Sequence, residues 1–372
     1  MFAAAIPKAL RGSDAPLKRL AVRARPLTNR LRRAVELEQD LAAVAVRTEV
    51  LQEAEVEAAP PLLCLPDDLE RATAGVPGHT TLEEELARAR QTEFTHDAVV
   101  RYELSDCLVH PSGFEADGAS YLFDRPPPRA FLAPMKRLSR ACYCNSAVSR
   151  QYFGHFVRDA CTTAMLARDD EALLLDWPSS WANAPEYVEG LGLEPVRGPL
   201  FRVRRLSHFR DYGQGSLKRA RYDQMRARLT RAFPGETSGA SRVFFRRGQT
   251  GAQRRIRNED AVLGVLTGLG FEVVDVGSAR TPDLLRRFRG VEMVVSVDGS
   301  HLNHLYFSLP PGAGLLTLIP EDRFTMNQRA FAAGRGLRYG CATMKPGPGG
   351  YEVDPQRLEA TLALFDVRRS QG

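Results

Sequence analysis

Three groups of side chains in this 372-residue chain have the types and spacing to do chemistry. The first is an arginine run: Arg242, Arg246, Arg247, Arg254, Arg255 and Arg257 fall between positions 242 and 257, with no acid among them. A guanidinium stays charged at any working pH, and its planar fork matches a phosphate or carboxylate, so the run is an address for an anion. A solvated basic loop is the alternative. Neither GxGxxG nor GxxxxGK[ST] occurs there, so arginines would have to do what glycine-cradled amides do in those motifs. The second group is Asp298-Gly299-Ser300-His301. Gly299 permits close backbone approach, and Ser300 with the next amides can hold a phosphate or ribose. His301 and His304 are spaced i, i+3, but no third ligand of matching spacing accompanies them and HExxH is absent, so no metal site is expected. The third group is His155, Asp159 and Thr162, at i, i+4 and i+7 of a helical stretch over 150–168, and therefore on one face. A carboxylate beside a histidine favours the imidazolium that forms on proton uptake, as a general base requires. A histidine tied structurally to its helix neighbour is the alternative.

The elements that must position these groups follow from apolar patterning. Val243–Phe245, Phe271–Val276 and Val291–Val297 are short runs rich in Val and Phe, predicted as buried strands. Asn258, followed by Glu259 and Asp260, reads as a helix N-cap, and Thr281-Pro282-Asp283 starts a second helix. Strands alternating with helices give a parallel sheet, whose ligands bind beyond the carboxyl ends of the strands. Those ends carry Arg246-Arg247 and Asp298–His301, so a nucleotide is the expected ligand. Leu315–Ile319 reads as a further strand, and Asp354-Pro355 starts a last helix to about Phe365. In the N-terminal half, 98–124 alternates around Pro-Ser-Gly and Ala-Asp-Gly, predicting a hairpin or meander. A strand at 171–176, a helix at 184–191, a strand at 200–206 and a basic helix at 215–233 then predict a second α/β layer pattern. The expected organisation is a leader, amphipathic helix and connector (1–95), two α/β domains (96–235 and 236–350) with a cleft between them, and a C-terminal helix packing back (351–372).

Composition bounds the class. Apolar residues make up 44% and charged residues 26%, the balance of a soluble globular protein. Nine Lys/Arg against one acid in residues 1–33 give the leader +8, which leaves −2 for the rest of a chain whose net charge is +6. The basic pI therefore belongs to the leader, and nucleic-acid binding by the body is not expected. Residues 1–33 hold Pro7, Pro16 and Pro26 and read as poorly ordered, with contact to anionic lipid head groups as one role and a solvated tail as the other. Ala34, Leu37, Leu41, Val44 and Leu51 recur at helical spacing, predicting an amphipathic helix of about five turns that ends at Ala58-Ala-Pro-Pro61, with a loop-rich connector to residue 95. Six cysteines without CxxC spacing imply buried thiols, Cys142-Tyr-Cys144 included, and a reducing, cytoplasmic compartment. No run approaches a membrane span.

Three blocks, in order, resemble glycosyltransferase family 61, the group that includes bacterial capsular-polysaccharide enzymes, plant xylan transferases and an animal O-GlcNAc transferase of secreted proteins. They are Tyr152-Phe-Gly-His155 with Asp159; Arg246-Arg247 with Arg254-Arg255-Ile256-Arg257-Asn258-Glu259; and VVSVDGSHLNHLYF. In the last, Asp298 stands where the family usually has His and Ser300 where it has Ala, as in a bacterial branch. The likeness covers about residues 98–330. It implies a GT-B fold: two Rossmann-like domains facing across a cleft, with the donor held mainly by the C-terminal one. It also implies an inverting, single-displacement transfer from a nucleotide-sugar to a hydroxyl. The donor is expected to be UDP-linked, and the arginines and the lack of an Asp-x-Asp turn make the transfer metal-independent. The basic leader suits a glycan or lipid-linked acceptor at the cytoplasmic face of a membrane. No cofactor is expected. His155 oriented by Asp159 is then the expected base, with Asp298 as the alternative. Arg246, Arg247, Arg254, Asn258, Glu259, Gly299, Ser300, His301 and Asn303 are the expected donor contacts. A non-catalytic nucleotide- or glycan-binding protein of the same fold is the competing reading.

Overall fold

The computed structural model of the protein describes residues 16–34, 39–124, 133–235, 239–247 and 254–369. The architecture is mixed α/β, with strands in chain order β1 (Arg47–Gln52), β2 (Glu55–Ala58), β3 (Glu93–His96), β4 (Val99–His110), β5 (Gly113–Glu115), β6 (Ser120–Leu122), β7 (Lys136–Tyr143), β8 (Ala172–Leu174) and β9 (Phe201–Arg210). They continue as β10 (Arg242–Arg246), β11 (Phe271–Asp275), β12 (Met293–Val297), β13 (Gly314–Pro320), β14 (Arg338–Gly347) and β15 (Gly350–Glu352). Two compact units result, each built from three segments. One comprises Met1–Glu53, Ala98–Ser179 and Leu193–Asp211; the other comprises Ala54–Asp97, Ser180–Gly192 and Tyr212–Gly372.

The sheet of the second unit runs β11-β10-β12-β13-β14-β15. Strands β10 to β14 are all parallel, and β15 returns antiparallel along β14. Every residue of β12 and of β13 is buried, the continuous apolar reading expected of a parallel sheet covered on both faces. From β10 the chain passes through the Glu259–Gly268 helix to β11 on one side. It then passes through the Thr281–Phe288 helix to β12 on the other side. The five parallel strands thus have the 2-1-3-4-5 order of a doubly wound sheet, whose ligand crevice lies where that order reverses, between β10 and β12. One face packs Phe244, Val295, Leu316 and Leu318 against Val262 and Leu266 of one helix and Leu358, Leu362 and Phe365 of the Pro355–Arg369 helix. The predicted strands and helix starts of this half therefore stand. Asn258, however, makes no side-chain cap. Its amide instead brackets the backbone of Val353, donating from Nδ2 to the carbonyl (2.7 Å) and accepting the N–H at Oδ1 (3.1 Å).

The expected loop-rich connector is corrected. It contributes the antiparallel β2–β3 pair and a Leu82–Arg90 helix to the second unit. Thr81 and Glu84 close a reciprocal capping box at the start of that helix. At its end the guanidinium of buried Arg329 donates to the carbonyls of Arg88 (2.6 Å), Ala89 (3.1 Å) and Gln91 (3.1 Å), meeting acceptors that a helix terminus leaves open.

The first unit is one mixed sheet, β6-β5-β4-β9-β7-β8, with β1 added along β4. The predicted meander is present as β4–β5–β6. The sheet is nonetheless not Rossmann-like: β4 pairs antiparallel with β1, β5 and β9, and only β7 with β8 and β7 with β9 are parallel. Short hairpin turns at Pro111-Ser112 and Asp117-Gly118 force antiparallel neighbours, whereas parallel ones need a crossover. Two N-terminal expectations also change. Residues 16–33 are not irregular, because Pro16–Ala34 is a helix. It is held by Val22 packing with Leu108 and Leu200, and by buried Asn29, whose Nδ2 donates to Glu115 Oε2 (2.7 Å), Ala116 O (2.9 Å) and Ala119 O (3.1 Å). Residues 1–15 lie outside the described residues. The amphipathic helix expected over 34–51 is replaced by a single turn, Leu41–Val44, followed by β1. Pairing of Arg47 with Glu103 and Val50 with Val100 along β4 overrides the helical spacing.

Candidate active site

At the carboxyl edge of the second unit's sheet, β10 delivers Arg247 and β12 delivers Asp298. Arg247 Nη1 donates to the Asp298 carbonyl at 2.6 Å. Arg254 donates to the same carbonyl and to Asp298 Oδ2 at 2.6 Å. The other carboxylate oxygen, Oδ1, accepts from Gln328 Nε2 at 2.9 Å, and Gln328 is itself held by the Tyr306 hydroxyl at 2.6 Å. Both oxygens of Asp298 are therefore engaged, which makes it an anchor for Arg254. Two guanidiniums brought together repel, and burial followed by Arg254 pushes the pKa of Arg247 down to about 10. It remains a cation at neutral pH.

Gly299 leaves room for the Arg247 guanidinium. A Cβ there would lie 2.6 Å from Arg247 Nη1 and 2.9 Å from His301 Nδ1, and the arginine is already tethered to Asp298. The Ser296 hydroxyl donates to Phe245 O (2.7 Å), so its oxygen accepts Nε2–H of His301 at 2.8 Å. Burial, then the nearby Arg247, hold the His301 pKa well below the usual range, so the ring is neutral with its Nδ1 lone pair free to accept. His304 instead meets the Tyr187 hydroxyl at 2.8 Å, and burial lowers its pKa to about 4. The HxxH pair thus serves two different partners. Among the described residues no three His, Cys, Asp or Glu side chains converge to hold a metal ion. Asn303 donates to Ser300 O at 2.8 Å, while its Oδ1, like Nε of Arg254, is buried without a protein partner among the described residues.

Arg247, Arg254, Asp298, Gly299 and His301 are therefore one constellation, with Ser300 and Asn303 in the turn beside it. Arg246 and Glu259 are engaged elsewhere. Arg246 Nε pairs with Glu259 Oε1 at 3.2 Å, and Asn258 is committed to Val353.

In the first unit, the segment after β7 carries the second constellation. Ser146 and Ser149 form a capping box that starts the Ala147–Gln151 helix. A short turn, Phe153–His155, follows, and then a π-helical turn, Phe156–Ala160. The expected continuous helix is thus widened at this point, and such π turns concentrate at functional sites. Thr162 closes the widened turn, its hydroxyl donating to the carbonyls of Arg158 (2.7 Å) and Asp159 (2.8 Å). His155 Nδ1 lies 2.6 Å from Asp159 Oδ2, and Arg158 Nη2 lies 3.0 Å from His155 Nε2. An ionised carboxylate only accepts, so Nδ1 carries the proton given to Asp159 and Nε2 keeps its lone pair. The same Arg158 nitrogen is also 3.4 Å from Nδ1, so it lies over the ring and not along that lone pair. This is the tautomer a general base needs, with Nε2 reserved for the incoming proton. Arg158 and Gln328 are the residues that sequence reasoning missed. Arg158 was readable, three positions after His155 on a helix. Gln328 carries no local signal.

Residues 153–316 match the family model described as Glycosyltransferase 61, an interval that contains every candidate residue above except Gln328. No curated protein matches. Among solved structures, the chain is similar to a flavo di-iron protein mutant from Thermotoga maritima (10% identity, 62% of this chain and 54% of that one, TM-score 0.27). It is also similar to rubredoxin oxygen:oxidoreductase from the anaerobe Desulfovibrio gigas (9% identity, 59% and 51%, TM-score 0.25). The chain spans about half the length of each, and scores this low do not relate the folds. The family match, over the segment that carries both constellations, supports glycosyltransferase family 61 and, with it, glycosyl transfer as the general activity.

Proposed function

We propose that the protein is an inverting, metal-independent glycosyltransferase that moves a sugar from a nucleotide-sugar, UDP-linked by preference, to a hydroxyl of a glycan or lipid-linked acceptor. The observation that carries this reading is the pair Arg247 and Arg254 converging on Asp298 at the switch point of a parallel sheet. As the bond between the sugar and the diphosphate breaks, its electron pair passes to the phosphate oxygens, and two fixed guanidiniums stabilise that growing charge without reorganising. The acceptor oxygen forms the new bond on the opposite face of the anomeric carbon, and its proton passes to His155 Nε2. Asp159 holds the ring and offsets the charge of the imidazolium. We assign Asp298 to positioning Arg254. We assign donor handling to the second unit and acceptor deprotonation to the first. The Asp-Gly-Ser turn favours the capsular-polysaccharide branch of the family. Proton NMR of the product tests the mechanism: an anomer opposite in configuration to the donor is expected, and retention would overturn single displacement.

One observation favours a second reading, a non-catalytic nucleotide or glycan binder. The Arg158 guanidinium lies 3.0 Å from the His155 nitrogen that the acceptor proton must reach, a cation that opposes protonation there.

The leader supports a membrane-linked acceptor at the cytoplasmic face. On the Pro16–Ala34 helix, Leu27 and Leu31 are 62% and 59% exposed, one turn apart, with exposed Arg30 between them. Two apolar side chains in a basic surface fit an anionic bilayer interface. Cosedimentation with phosphatidylglycerol vesicles is expected, weakening with salt and lost in Leu27→Ser/Leu31→Ser. Equal binding to phosphatidylcholine vesicles would contradict it. Among the described residues no helix is long and apolar enough to cross a membrane.

A further inference from the structure

The first unit holds a hollow that neither constellation uses. It is a solvent-open cavity of about 110 Å³ that reaches the carboxyl ends of β7 and β8, the parallel part of that sheet, where ligands of α/β sheets collect. Phe123, Tyr143 and Phe201 give it an aromatic wall, and Arg150, Asp176 and Arg197 give it charge. Asp176 is fixed at both ends. Its backbone is bracketed by the Asn145 amide, which donates to the carbonyl (2.8 Å) and accepts the N–H (2.8 Å), and its carboxylate pairs with Arg150. Arg197 lies over the Trp177 ring at 4.1 Å and has no carboxylate partner among the described residues. Two guanidiniums face one carboxylate, so the hollow keeps an uncompensated positive charge beside apolar ring faces.

That combination selects a ligand with a flat C–H face and one anionic group. A sugar ring lays its axial hydrogens on an aromatic surface, and a carboxylate accepts the fork of an arginine. The chain links the hollow to the proposed base. The segment that contributes Tyr143 and Arg150 continues directly into the turn bearing His155. We propose that this hollow binds an acidic sugar unit of the acceptor, its carboxylate on Arg197 and its ring on the aromatic wall. The inference rests on the transferase reading for the word acceptor, but not for the binding itself.

The test is saturation-transfer NMR and calorimetry on the full chain with methyl glucuronide, methyl glucoside and acetate. Glucuronide is expected to bind about tenfold more tightly than glucoside, the range for one charged hydrogen-bonded contact. Exposed Arg197→Ala should erase that difference while leaving nucleoside-diphosphate binding unchanged. Phe123→Ala, which trims the wall of the hollow, should weaken both sugars alike. Equal binding of the two glycosides, glucuronide binding indifferent to Arg197→Ala, acetate binding as well as glucuronide, or no sugar binding at all would each overturn the proposal. A chain that binds glucuronide in this way but no nucleoside diphosphate would refute the transferase reading and leave the sugar site standing.

Discussion

Arg254→Ala is expected to lose nucleoside-diphosphate binding and to melt on the order of 10 °C lower than the parent chain. Both effects come from one geometry. The Arg254 and Asp298 side chains are only 9% and 7% exposed, so the ion pair is buried. Removing one partner of a buried pair leaves an uncompensated charge and costs about 3–5 kcal/mol. A domain of this size loses about 2–4 °C per kcal/mol. The Gln328 amide still holds Asp298 Oδ1, which keeps the loss from being larger. Arg254→Lys separates fold from function. An ammonium restores the charge beside Asp298 but presents no planar fork, so melting should recover most of the way while donor affinity stays at least about tenfold weaker. A lysine variant that binds nucleoside diphosphate as tightly as the parent would remove Arg254 from the donor site and leave it a purely structural cation.

His155→Ala should leave donor affinity and melting temperature nearly unchanged and reduce kcat by about 10²–10⁴-fold, the usual contribution of a positioned general base. The side chain is partly exposed, and its strongest contacts are to its own neighbours Asp159 and Arg158, so little of the fold depends on it. Asp159→Asn should cost less, because the amide still accepts Nδ1–H but no longer balances the imidazolium. Arg158→Ala divides the two functional readings. If Arg158 merely holds the resting ring and yields to the acceptor, its loss should leave turnover within severalfold of the parent. Unchanged turnover in His155→Ala would eliminate the base assignment. Absence of turnover in the parent with every donor, despite nucleotide binding, would favour the non-catalytic binder.

How far these groups were legible in the sequence depended on the range of the interactions that fix them. The parallel sheet announced itself because both its faces are buried, so Phe244, Val294 and Leu316 sit in uninterrupted apolar runs. The mixed sheet did not. β4 and β9 alternate charged residues that are matched across strands, as in Asp106 with Arg202 and Glu103 with Arg205, and no local pattern reveals which strand lies beside which. The leader was misjudged for the same reason. Pro16 and Pro26 argue against a helix locally, and what holds the helix is Asn29 reaching Glu115. The spacing of Leu41, Val44 and Leu51 pointed to a helix that pairing along β4 converts into a strand. The Leu82–Arg90 helix was within reach, since Thr81 and Glu84 spell a capping box. In the site, His155 with Asp159 and Arg247 with Asp298 follow from helix spacing and strand ends. The π turn, the clasp of Asp298 by Gln328 and the diversion of Arg246 to Glu259 required side-chain positions.

The central claim is that the arginine pair at the β10/β12 switch point binds a sugar-nucleotide diphosphate without a metal. Calorimetry and thermal shift with UDP, GDP, CDP and ADP and their common sugar conjugates, each with and without EDTA, test it most directly, because binding to the native state raises its stability by mass action. Selective binding of one nucleoside diphosphate, unaffected by EDTA and weakened in Arg254→Lys, is the predicted result. Binding that requires a divalent metal, or binding of none of these nucleotides, would contradict it.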